Sequence, residues 1–362
     1  MKPSSITEIQ DFVRSQTRLA PHGGGSKPAL TWRDGFTLVE TGGITGLLEY
    51  QPEEFTFTAL AGTRLAEVEQ ALAEHGQFLP FDPPLAQAGA TLGGCVASGL
   101  SGPGRYRYGG LRDFLLGVRF VDGQGQLVSS GGKVVKNAAG FDLPKLMVGS
   151  LGQYGILVEL SFKVFPRSET YATLQVNFPS LNQALETLTR LTLQPLELFA
   201  LDLIPQDEVS YLLVRLGGKP AALPERVKRL QGILGSEEFH VIEGEADAQL
   251  WRAELEFSWA PAGHSLVKVP LTPRRLVPLD EKLAASHAVR HYSVGANQAW
   301  IAWPGEISAL DAHLVDLNLA GLVVRGEAQK AQLGVRQGDG FARRVKQALD
   351  PGGRFPGVYD AA

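Results

Sequence analysis

The sequence predicts an α+β protein of two domains, and three observations lead to that prediction. The chain has 362 residues, 44% hydrophobic and 20% charged, a length and composition typical of two globular domains. Glycine is concentrated between residues 89 and 155, where it separates short apolar runs. From about 170 to 335 glycine becomes rarer, and strand patterns alternate with helix patterns. We therefore expect a turn-rich first domain and a second domain that begins near residue 170.

The elements of the first part follow from their hydrophobic periodicity. Residues 5–18 predict a short amphipathic helix, and FTLVETGG and EFTFTALAG predict strands. TRLAEVEQALAEHG predicts a helix with Thr63 as its N-cap and Gly76 after its end, because its apolar residues recur at helical spacing. LLGVRFVDGQGQLVSSGG predicts a hairpin, and YGILVELSFKVFP a long strand ending at Pro166.

The second part alternates strands and helices. Strands are predicted in YATLQVNF, LELFALDL, SYLLVRLG, HSLVKVPL, QAWIAWPG and AGLVVRG. Helices are predicted in SLNQALETLTRL, where Ser180 and Gln183 form a capping-box pair, and in LPERVKRLQGILG and TPRRLVPLDEKLAAS. This order indicates a mostly antiparallel sheet with helices on one face. A last helix in FARRVKQALDPGGRFPGVY ends at Asp350.

Charge and cysteine content limit the classes of function. The net charge is −4, the pI is about 6.0 and no basic run occurs, so a nucleic-acid or anionic-membrane surface is not expected. Cys95 is the single cysteine, which excludes an internal disulfide and an iron–sulfur cluster held by this chain alone. The N-terminal sequence has no apolar core and no run of about 18 apolar residues occurs, so a cytoplasmic protein is expected.

Three glycine-rich segments are candidates for a ligand site. PHGGGSK (21–27) offers successive bare N–H groups and the charge of Lys27, a pattern typical of an anion-binding nest, although a surface turn would look the same. ATLGGCVASGLSGPGRYRYGG (90–110) has small residues followed by arginines and tyrosines; a loop kept small for packing is the alternative. The third segment, 136–166, joins a short helix to a glycine turn and a strand. Neither a P-loop nor a GxGxxG between a strand and a helix is present.

These three segments, in this order and spacing, resemble the flavin-binding domain of the vanillyl-alcohol oxidase family, also called the PCMH-type FAD domain. In that family the first two loops hold the FAD pyrophosphate, and a GSxGxxGI turn lies beside the cofactor. The tail DPGGRFPG resembles the family's closing DPxgxfNPG. The resemblance implies a FAD-binding domain over 1–170, completed by 340–362. It leaves 171–339 as a smaller α/β cap domain for substrate or partner.

Two longer stretches, 42–84 and 133–167, resemble the FAD-binding E subunits of bacterial-type glycolate oxidase (glycolate dehydrogenase) within that family. In those complexes the FAD-binding chain works beside a larger flavoprotein and an iron–sulfur protein. The resemblance implies that electrons pass from glycolate, oxidised to glyoxylate, through FAD toward the iron–sulfur subunit. It also implies a cytoplasmic protein that partner subunits can bring to the inner face of the membrane.

The resemblance assigns cofactor-binding roles to residues of all three segments. They are Gly23, Gly24, Gly25, Ser26, Lys27, Thr91, Gly93, Gly94, Ala97, Ser98, Gly102, Arg105, Tyr108, Gly155 and Ile156.

Three departures from the family pattern refine these expectations. Ser26 stands where members with covalent flavin often have a histidine, so non-covalent FAD is expected. The closing motif lacks its asparagine, and the GDGNxH-type metal motif of the 2-hydroxy-acid dehydrogenases is absent. No metal site is therefore expected, and catalysis is expected to depend on the partner subunits. Two alternatives stay open: a self-sufficient FAD-dependent 2-hydroxy-acid oxidoreductase, and a non-catalytic FAD-binding assembly subunit.

Oxidation of a 2-hydroxy acid needs a cation for the carboxylate and a base for the hydroxyl proton. No motif in the second part identifies either group, and the catalytic residues stay unassigned. Cys95 is expected to be buried rather than reactive, and His287 and His291 to lie at a helix end rather than bind metal. Trp300 and Trp303 are expected to pack against the helices rather than face a partner. The candidate cations are Arg274, Arg275, Arg290 and Arg325, and the candidate bases are His264, His287 and His291.

Overall fold

The computed structural model describes residues 1–31, 35–132, 141–206, 209–235, 238–327, 331–336 and 338–357. The predicted segment 136–166 is therefore described from residue 141 onward, and the predicted tail as far as residue 357. The helices are α1 (Ile6–Ser15), α2 (Leu65–Ala73), α3 (Leu92–Ser98), α4 (Arg105–Tyr108), α5 (Leu143–Met147), α6 (Leu181–Thr192), α7 (Leu223–Leu234), α8 (Gly244–Glu256), α9 (Pro273–Ala285), α10 (Ile307–Asp316) and α11 (Asp339–Leu349).

Eighteen strands are described. In the first half they are β1 (Leu19–His22), β2 (Thr37–Glu40), β3 (Leu47–Gln51), β4 (Thr56–Leu60), β5 (Gln77–Phe78), β6 (Leu115–Val121), β7 (Leu127–Gly131), β8 (Ile156–Lys163) and β9 (Phe165–Pro166). In the second half they are β10 (Thr170–Phe178), β11 (Ala200–Pro205), β12 (Ser210–Gly218), β13 (Phe239–Glu243), β14 (Ser265–Pro270), β15 (Val289–Ser293), β16 (Gln298–Trp303), β17 (Ala320–Arg325) and β18 (Gln332–Gly334).

The first half is built on a five-stranded antiparallel sheet with the strand order β3-β4-β8-β6-β7. The predicted hairpin is confirmed, because β6 and β7 pair in antiparallel register from Val121–Leu127 back to Gly117–Gly131. Stacked rings of Phe57, Phe162 and Phe81 fill the core beneath this sheet. Strands β1 and β2 form a separate parallel pair.

The second half is built on a nine-stranded sheet with the order β13-β10-β12-β11-β15-β16-β14-β17-β18. Every pair in it is antiparallel, which confirms the predicted α+β class. Leucine and valine side chains of α6, α7, α9 and α10 bury one face of this sheet, as the alternating pattern predicted.

The other face of the nine-stranded sheet packs against the first half of the chain. Leu266, Trp300 and Val324 belong to the same buried cluster as the core of the five-stranded sheet. Helix α8 also lies on this face, where Trp251 is buried beside Phe199. Because strand side chains alternate between faces, neighbouring residues on one strand reach two different cores. Trp303 packs with the helices as predicted, but the same prediction for Trp300 was wrong, because Trp300 lies on the opposite face and packs toward the first half.

The end of the described chain returns to the N-terminal elements. Phe355 is buried with Ile9 and Leu19, and the amide of Leu19 donates to the carbonyl of Arg354 at 2.8 Å. The carboxylate of Asp350 holds this tail by accepting from the amides of Arg354 and Phe355, both at 2.9 Å. This packing agrees with a first domain completed by the tail, while the boundaries at 170 and 340 stay predictions.

Two local predictions were wrong in detail. Arg64, not Thr63, precedes the first residue of α2, because the hydroxyl of Thr63 is occupied by the amide of Gly46 at 2.9 Å. The long predicted strand is divided, because Phe165–Pro166 leaves the five-stranded sheet to pair with β5. Half of the predicted capping-box pair of α6 is confirmed, since Ser180 Oγ accepts from the amide of Gln183. None of the helices among the described residues has the length and hydropathy that a membrane span requires.

Candidate functional site

A cleft of about 750 Å³, part of it open to solvent, lies where the three glycine-rich segments meet. The first segment continues from the end of β1, the second includes α3, and the third contributes the turn that enters β8. The second and third segments are joined by backbone hydrogen bonds of 2.9 Å from Gly149 to Val96 and from Leu151 to Ala97. Segments far apart in sequence thus form one wall. The predicted residues that line the cleft are Gly23, Gly24, Gly25, Ser26, Lys27, Thr91, Gly93, Gly94, Ala97, Ser98 and Gly155.

The first loop exposes backbone donors to this cleft. Among the described residues, the N–H groups of Gly23, Gly24, Gly25 and Ser26 have no hydrogen-bond acceptor. Packing also requires glycine at position 24, because a Cβ there would lie 1.7 Å from the carbonyl oxygen of Gly89. The loop is therefore held against residue 89 while its amides stay available to an anionic ligand.

Lys27 brings a buried positive charge to the cleft. Its residue is 8% exposed, and Nζ donates to Ser26 Oγ at 3.1 Å. No carboxylate pairs with it among the residues that the structure describes. Burial lowers the pKa of Lys27, and the negative charge of Glu256 opposes that shift. A buried ammonium without a counter-ion is expensive, so an anionic ligand here would stabilise it.

The second segment presents small residues to the same space. Thr91 caps α3, with its Oγ1 accepting from the amide of Gly94 at 3.2 Å. A Cβ at Gly94 would meet that hydroxyl at 3.2 Å and no other atom within 4 Å, so its open side is space within the cleft. Cys95 on the same helix is buried, and burial raises the pKa of its thiol to about 12, which makes it an inert core residue as expected.

The structure does not bring four of the predicted residues to this cleft. Gly102 lines a second cavity, Arg105 is exposed on α4, and Tyr108 packs among Phe78, Phe165 and Phe199. Ile156 does not line the cleft, and strand alternation turns its side chain into the N-terminal core; the contact predicted for it was a backbone one, which this burial leaves untested. Lining residues that the sequence reasoning missed are Pro21, His22, Leu30, Thr31, Thr41, Ser150, Leu151, Gly152 and Leu157. Ser150 to Gly152 lie inside the GSLGQYG turn, so that motif could have identified them.

A second, much smaller cavity, with room for about one water molecule, lies between the loop around Gly102 and the nine-stranded sheet. His291 of β15 enters its wall, with Nδ1 2.8 Å from Oε2 of Glu254 at the end of α8. The indole of Trp259 stacks on the imidazole, with ring centroids 3.9 Å apart and planes 19° apart. Both side chains of the pair are largely buried, at 8% and 12% exposure.

Asp202 of β11 forms another part of that wall. Its Oδ1 accepts from Ser293 Oγ at 2.9 Å and from the amide of Val294 at 3.1 Å. Burial raises the pKa of Asp202 to about 8, and the charge of Glu254 adds to the shift. At neutral pH this carboxyl is therefore protonated and can donate a hydrogen bond.

The other candidate bases and cations lie elsewhere. Arg290 turns to the opposite face of β15, where Asp280 holds it at 2.8 and 2.9 Å. Arg274 and Arg275 are exposed on the first turn of α9. His287 is exposed beyond α9 while His291 lies in a strand, so the two do not share a helix end. Arg325 and His264 line neither cavity, although each has a buried nitrogen without a partner in the described part of the chain.

Known proteins resemble this chain at two levels. The profile of the FAD binding domain family (FAD_binding_4) matches residues 1–131. Glycolate oxidase subunit GlcE of Escherichia coli K12 is 32% identical over 353 residues, which is 97% of this chain and 94% of that protein. Glycolate oxidase subunit GlcD of Bacillus subtilis is 33% identical over 143 residues, covering 40% of this chain and 30% of that one.

A solved structure of alkyldihydroxyacetonephosphate synthase has the same fold, with a TM-score of 0.73 and 16% sequence identity. The match covers 98% of this chain and 75% of the synthase. The fold, the FAD binding domain match and the near full-length similarity to GlcE agree with one another. The chain therefore belongs to the GlcE family of FAD-binding glycolate oxidase subunits, within the PCMH-type flavoproteins.

Proposed function

We propose that this chain is the FAD-binding subunit of a glycolate oxidase (dehydrogenase) complex, and that the first cleft holds FAD non-covalently by its pyrophosphate. The observation that carries the proposal is the cleft itself, in which free amides and an unpaired buried ammonium face one space. A pyrophosphate would supply the negative charge that pairs with the ammonium of Lys27. Its oxygens would accept hydrogen bonds from the amides of the first loop. Bound FAD supplies a two-electron acceptor for the C–H bond of a hydroxy acid.

The residues of the first loop favour non-covalent attachment. Ser26 follows the glycines, where a nucleophilic ring nitrogen would be needed for a covalent bond in the family pattern. His22 also lines the cleft, before the glycines. Release of the flavin on acid precipitation would therefore support the proposal, and colour retained in the pellet would point to His22.

The proposed complex includes a larger flavoprotein subunit and an iron–sulfur subunit, working in the cytoplasm. This chain also resembles GlcD, which is another glycolate oxidase subunit, and that similarity supports an assembly of related flavoproteins. Cys95 is buried and is the single cysteine of the chain, so electrons that leave this flavin for an iron–sulfur cluster require thiolates from another subunit. A pull-down with the tagged chain, followed by iron and flavin analysis, tests this composition.

The cofactor assignment is tested by the absorbance of the purified chain. We expect the flavin bands of the wild type to disappear in Lys27→Met, which removes the charge, and in Gly94→Val, which fills the open side of α3. Lys228→Met, at an exposed position of α7, is the matched control and should keep its flavin. Gly24 is unsuitable for this purpose, because any side chain there would collide with the carbonyl of Gly89. Normal FAD content in both cleft variants would remove the cleft from the cofactor site.

A further inference from the structure

We propose that Lys268 is a site of reversible covalent attachment for a small 2-oxo acid, whose carbonyl carbon condenses with Nζ while Arg105 pairs with its carboxylate. The inference rests on the proposed function for the choice of ligand, because oxidation of a 2-hydroxy acid yields a 2-oxo acid. It adds a modification site to the chain and assigns no residue to the oxidation itself.

Lys268 lies within β14, on the face of the nine-stranded sheet that packs toward the first half. Val267 and Val269, its neighbours along the strand, belong to the cluster beneath the helices, so the Lys268 side chain points the opposite way. Trp300 of β16 and Leu322 of β17 pair with Lys268 on its two sides and share this face. Apolar side chains thus flank the lysine, yet it keeps partial exposure, through which a small solute can reach Nζ.

Nothing in the described part of the chain holds a proton on Nζ of Lys268. No described carboxylate pairs with it, and no described group accepts a hydrogen bond from it. Burial lowers the pKa of Lys268 to about 8, and the positive charge of Arg105 adds to the shift. Near pH 8 about half of the amine is therefore neutral, whereas an ordinary lysine with a pKa of about 10.4 is almost fully protonated. The neutral amine is the form that attacks a carbonyl carbon.

Two further groups near Lys268 offer hydrogen bonds or charge to a carboxylate. Gln298 lies two residues before Trp300 on β16 and therefore on the same face, diagonal to Lys268. It is 4% exposed, and its Nε2 has no partner among the residues that the structure describes. Arg105 of α4 brings a second positive charge, and no described carboxylate pairs with it either. A carboxylate would satisfy Nε2 and reduce the repulsion between the two cations.

The condensation conserves atoms and electrons. The lone pair of neutral Nζ forms a C–N bond to the carbonyl carbon, and one amine proton moves to the carbonyl oxygen. The resulting hydroxyl leaves as water with the second amine proton, and the C=N bond of an imine forms. No oxidant or reductant is consumed, and addition of water reverses the reaction. The carboxylate stays on the adjoining carbon, where Arg105 and Gln298 can contact it.

The test traps the imine on the purified, FAD-loaded chain, with glyoxylate as probe and sodium cyanoborohydride as reductant. We expect the mass of the wild type to increase by one carboxymethyl group near pH 8, and peptide mapping to place that group on Lys268. Lys268→Met keeps an unbranched side chain without the amine and should retain the mass of the unlabelled chain. Lys228→Met, at an exposed position of α7, is the matched control and should be labelled like wild type.

A comparison of two aldehydes tests the carboxylate contacts. Gln298→Leu removes a donor to the carboxylate, so labelling by limiting glyoxylate should fall about 3- to 10-fold. Acetaldehyde has no carboxylate and should label this variant as readily as wild type. Arg105→Gln should lower labelling by both aldehydes, because it also removes the charge that lowers the pKa of Lys268. Urea unfolding and flavin absorbance of each variant establish that it is folded and loaded.

The outcomes separate this inference from the proposed function. Flavin absorbance reports on the cofactor and trapping reports on Lys268, so either proposal can fail while the other stands. A chain that cannot be loaded with FAD would overturn the proposed function. Absence of an adduct, an adduct spread over the exposed lysines, or one confined to Lys27 of the first cleft would overturn the inference. Equal labelling of wild type and Gln298→Leu by limiting glyoxylate would overturn the carboxylate contact of Gln298.

Discussion

Helix α8 has a polar cluster at each end, and the two clusters differ in whether their hydrogen bonds are complete. In the first turn, Asp247 accepts from Thr173 Oγ1 at 2.5 Å and from both Nε and Nη2 of Arg215, at 3.1 and 2.6 Å. The indole of Trp251 donates to the same threonine at 2.8 Å. We call this group (Arg215, Asp247, Thr173 and Trp251) the closed cluster. At the other end, Glu254, His291, Trp259 and Asp202 form the open cluster around the second cavity.

The closed cluster explains how a charged pair is buried at low cost. Asp247 is 1% exposed and Arg215 is 9% exposed, so both ions have lost most of their water. The carboxylate accepts three hydrogen bonds, and the guanidinium carbon lies 4.2 and 5.3 Å from the ring centroids of Tyr171 and Trp251. Such a group leaves nothing for a ligand and fixes α8 on the sheet.

The open cluster involves the same helix and is similarly buried, yet an imidazole nitrogen and an indole N–H in it have no partner among the residues that the structure describes. The difference teaches that burial of polar groups alone does not identify a site. Satisfaction of their hydrogen bonds distinguishes the two. By the same criterion Lys27 in the first cleft belongs with the open groups, because its charge is unpaired.

Breaking the closed cluster should have the largest effect on stability. Asp247→Asn removes the negative charge and leaves Arg215 buried without a counter-ion, so we expect a loss of about 3–5 kcal/mol in the free energy of unfolding. Glu254→Gln, at the other end of α8, should cost about 1 kcal/mol or less, because the amide can still bond His291. Urea unfolding of the two variants measures the difference. Equal losses would contradict the distinction between the clusters.

The free energy of unfolding should depend on pH because of Asp202, which belongs to the open cluster. Its pKa is raised from an ordinary 3.8 to about 8 in the folded chain. The folded state therefore holds a proton that the unfolded state has released between these values. The contribution of Asp202 to the free energy of unfolding is therefore fully present below about pH 4. It decreases as the pH rises to about 8, by about 1.4 kcal/mol per pH unit at most.

Asp202→Asn imitates the protonated carboxyl and removes this dependence. We expect the variant to be more stable than wild type at both values, by about 1–2 kcal/mol at pH 5 and by about 4 kcal/mol more than that at pH 8. Denaturant unfolding at both values measures it, with the exposed Asp316→Asn as control. A variant that is no more stable than wild type at pH 8 would show that Asp202 is ionised in the folded chain.

The sequence predicted the first cleft far better than the second. Glycine runs and a GSLGQYG turn are local patterns, and the backbone conformations they allow are those that build the cleft. The residues of the second cavity come from six separate stretches of the chain, around Pro84, Gly102, Asp202, Glu254, His291 and Trp300. His291 was one of three candidate bases, but nothing in the sequence indicated Glu254 as its partner. That pairing depends on how α8 docks on the sheet.

The docking of α8 is itself a long-range event. The carbonyl of Leu255 accepts from Leu85 at 3.1 Å, and its side chain occupies the space that a Cβ on Gly102 would need. The carboxylate of Glu256 accepts from the amides of Gln87 and Ala88 at 2.9 and 3.2 Å. These contacts join residues about 170 positions apart, so no local pattern predicts them. Membership of a local motif does not fix where a side chain lies either. Tyr108 and Ile156 belong to predicted motifs, yet their side chains pack into cores.

The two tryptophans of α8 and its C-terminal extension offer the smallest and most specific comparison. Trp251 Nε1 has an acceptor in Thr173, so Trp251→Phe loses a buried hydrogen bond and should cost about 1 kcal/mol more in unfolding than Trp259→Phe. Trp259 Nε1 has no acceptor in the described part of the chain, so Trp259→Phe removes no hydrogen bond there. Urea unfolding of the two variants measures the difference in the free energy of unfolding. A Trp259→Phe variant that lost as much stability as Trp251→Phe would contradict the distinction between complete and incomplete hydrogen bonds.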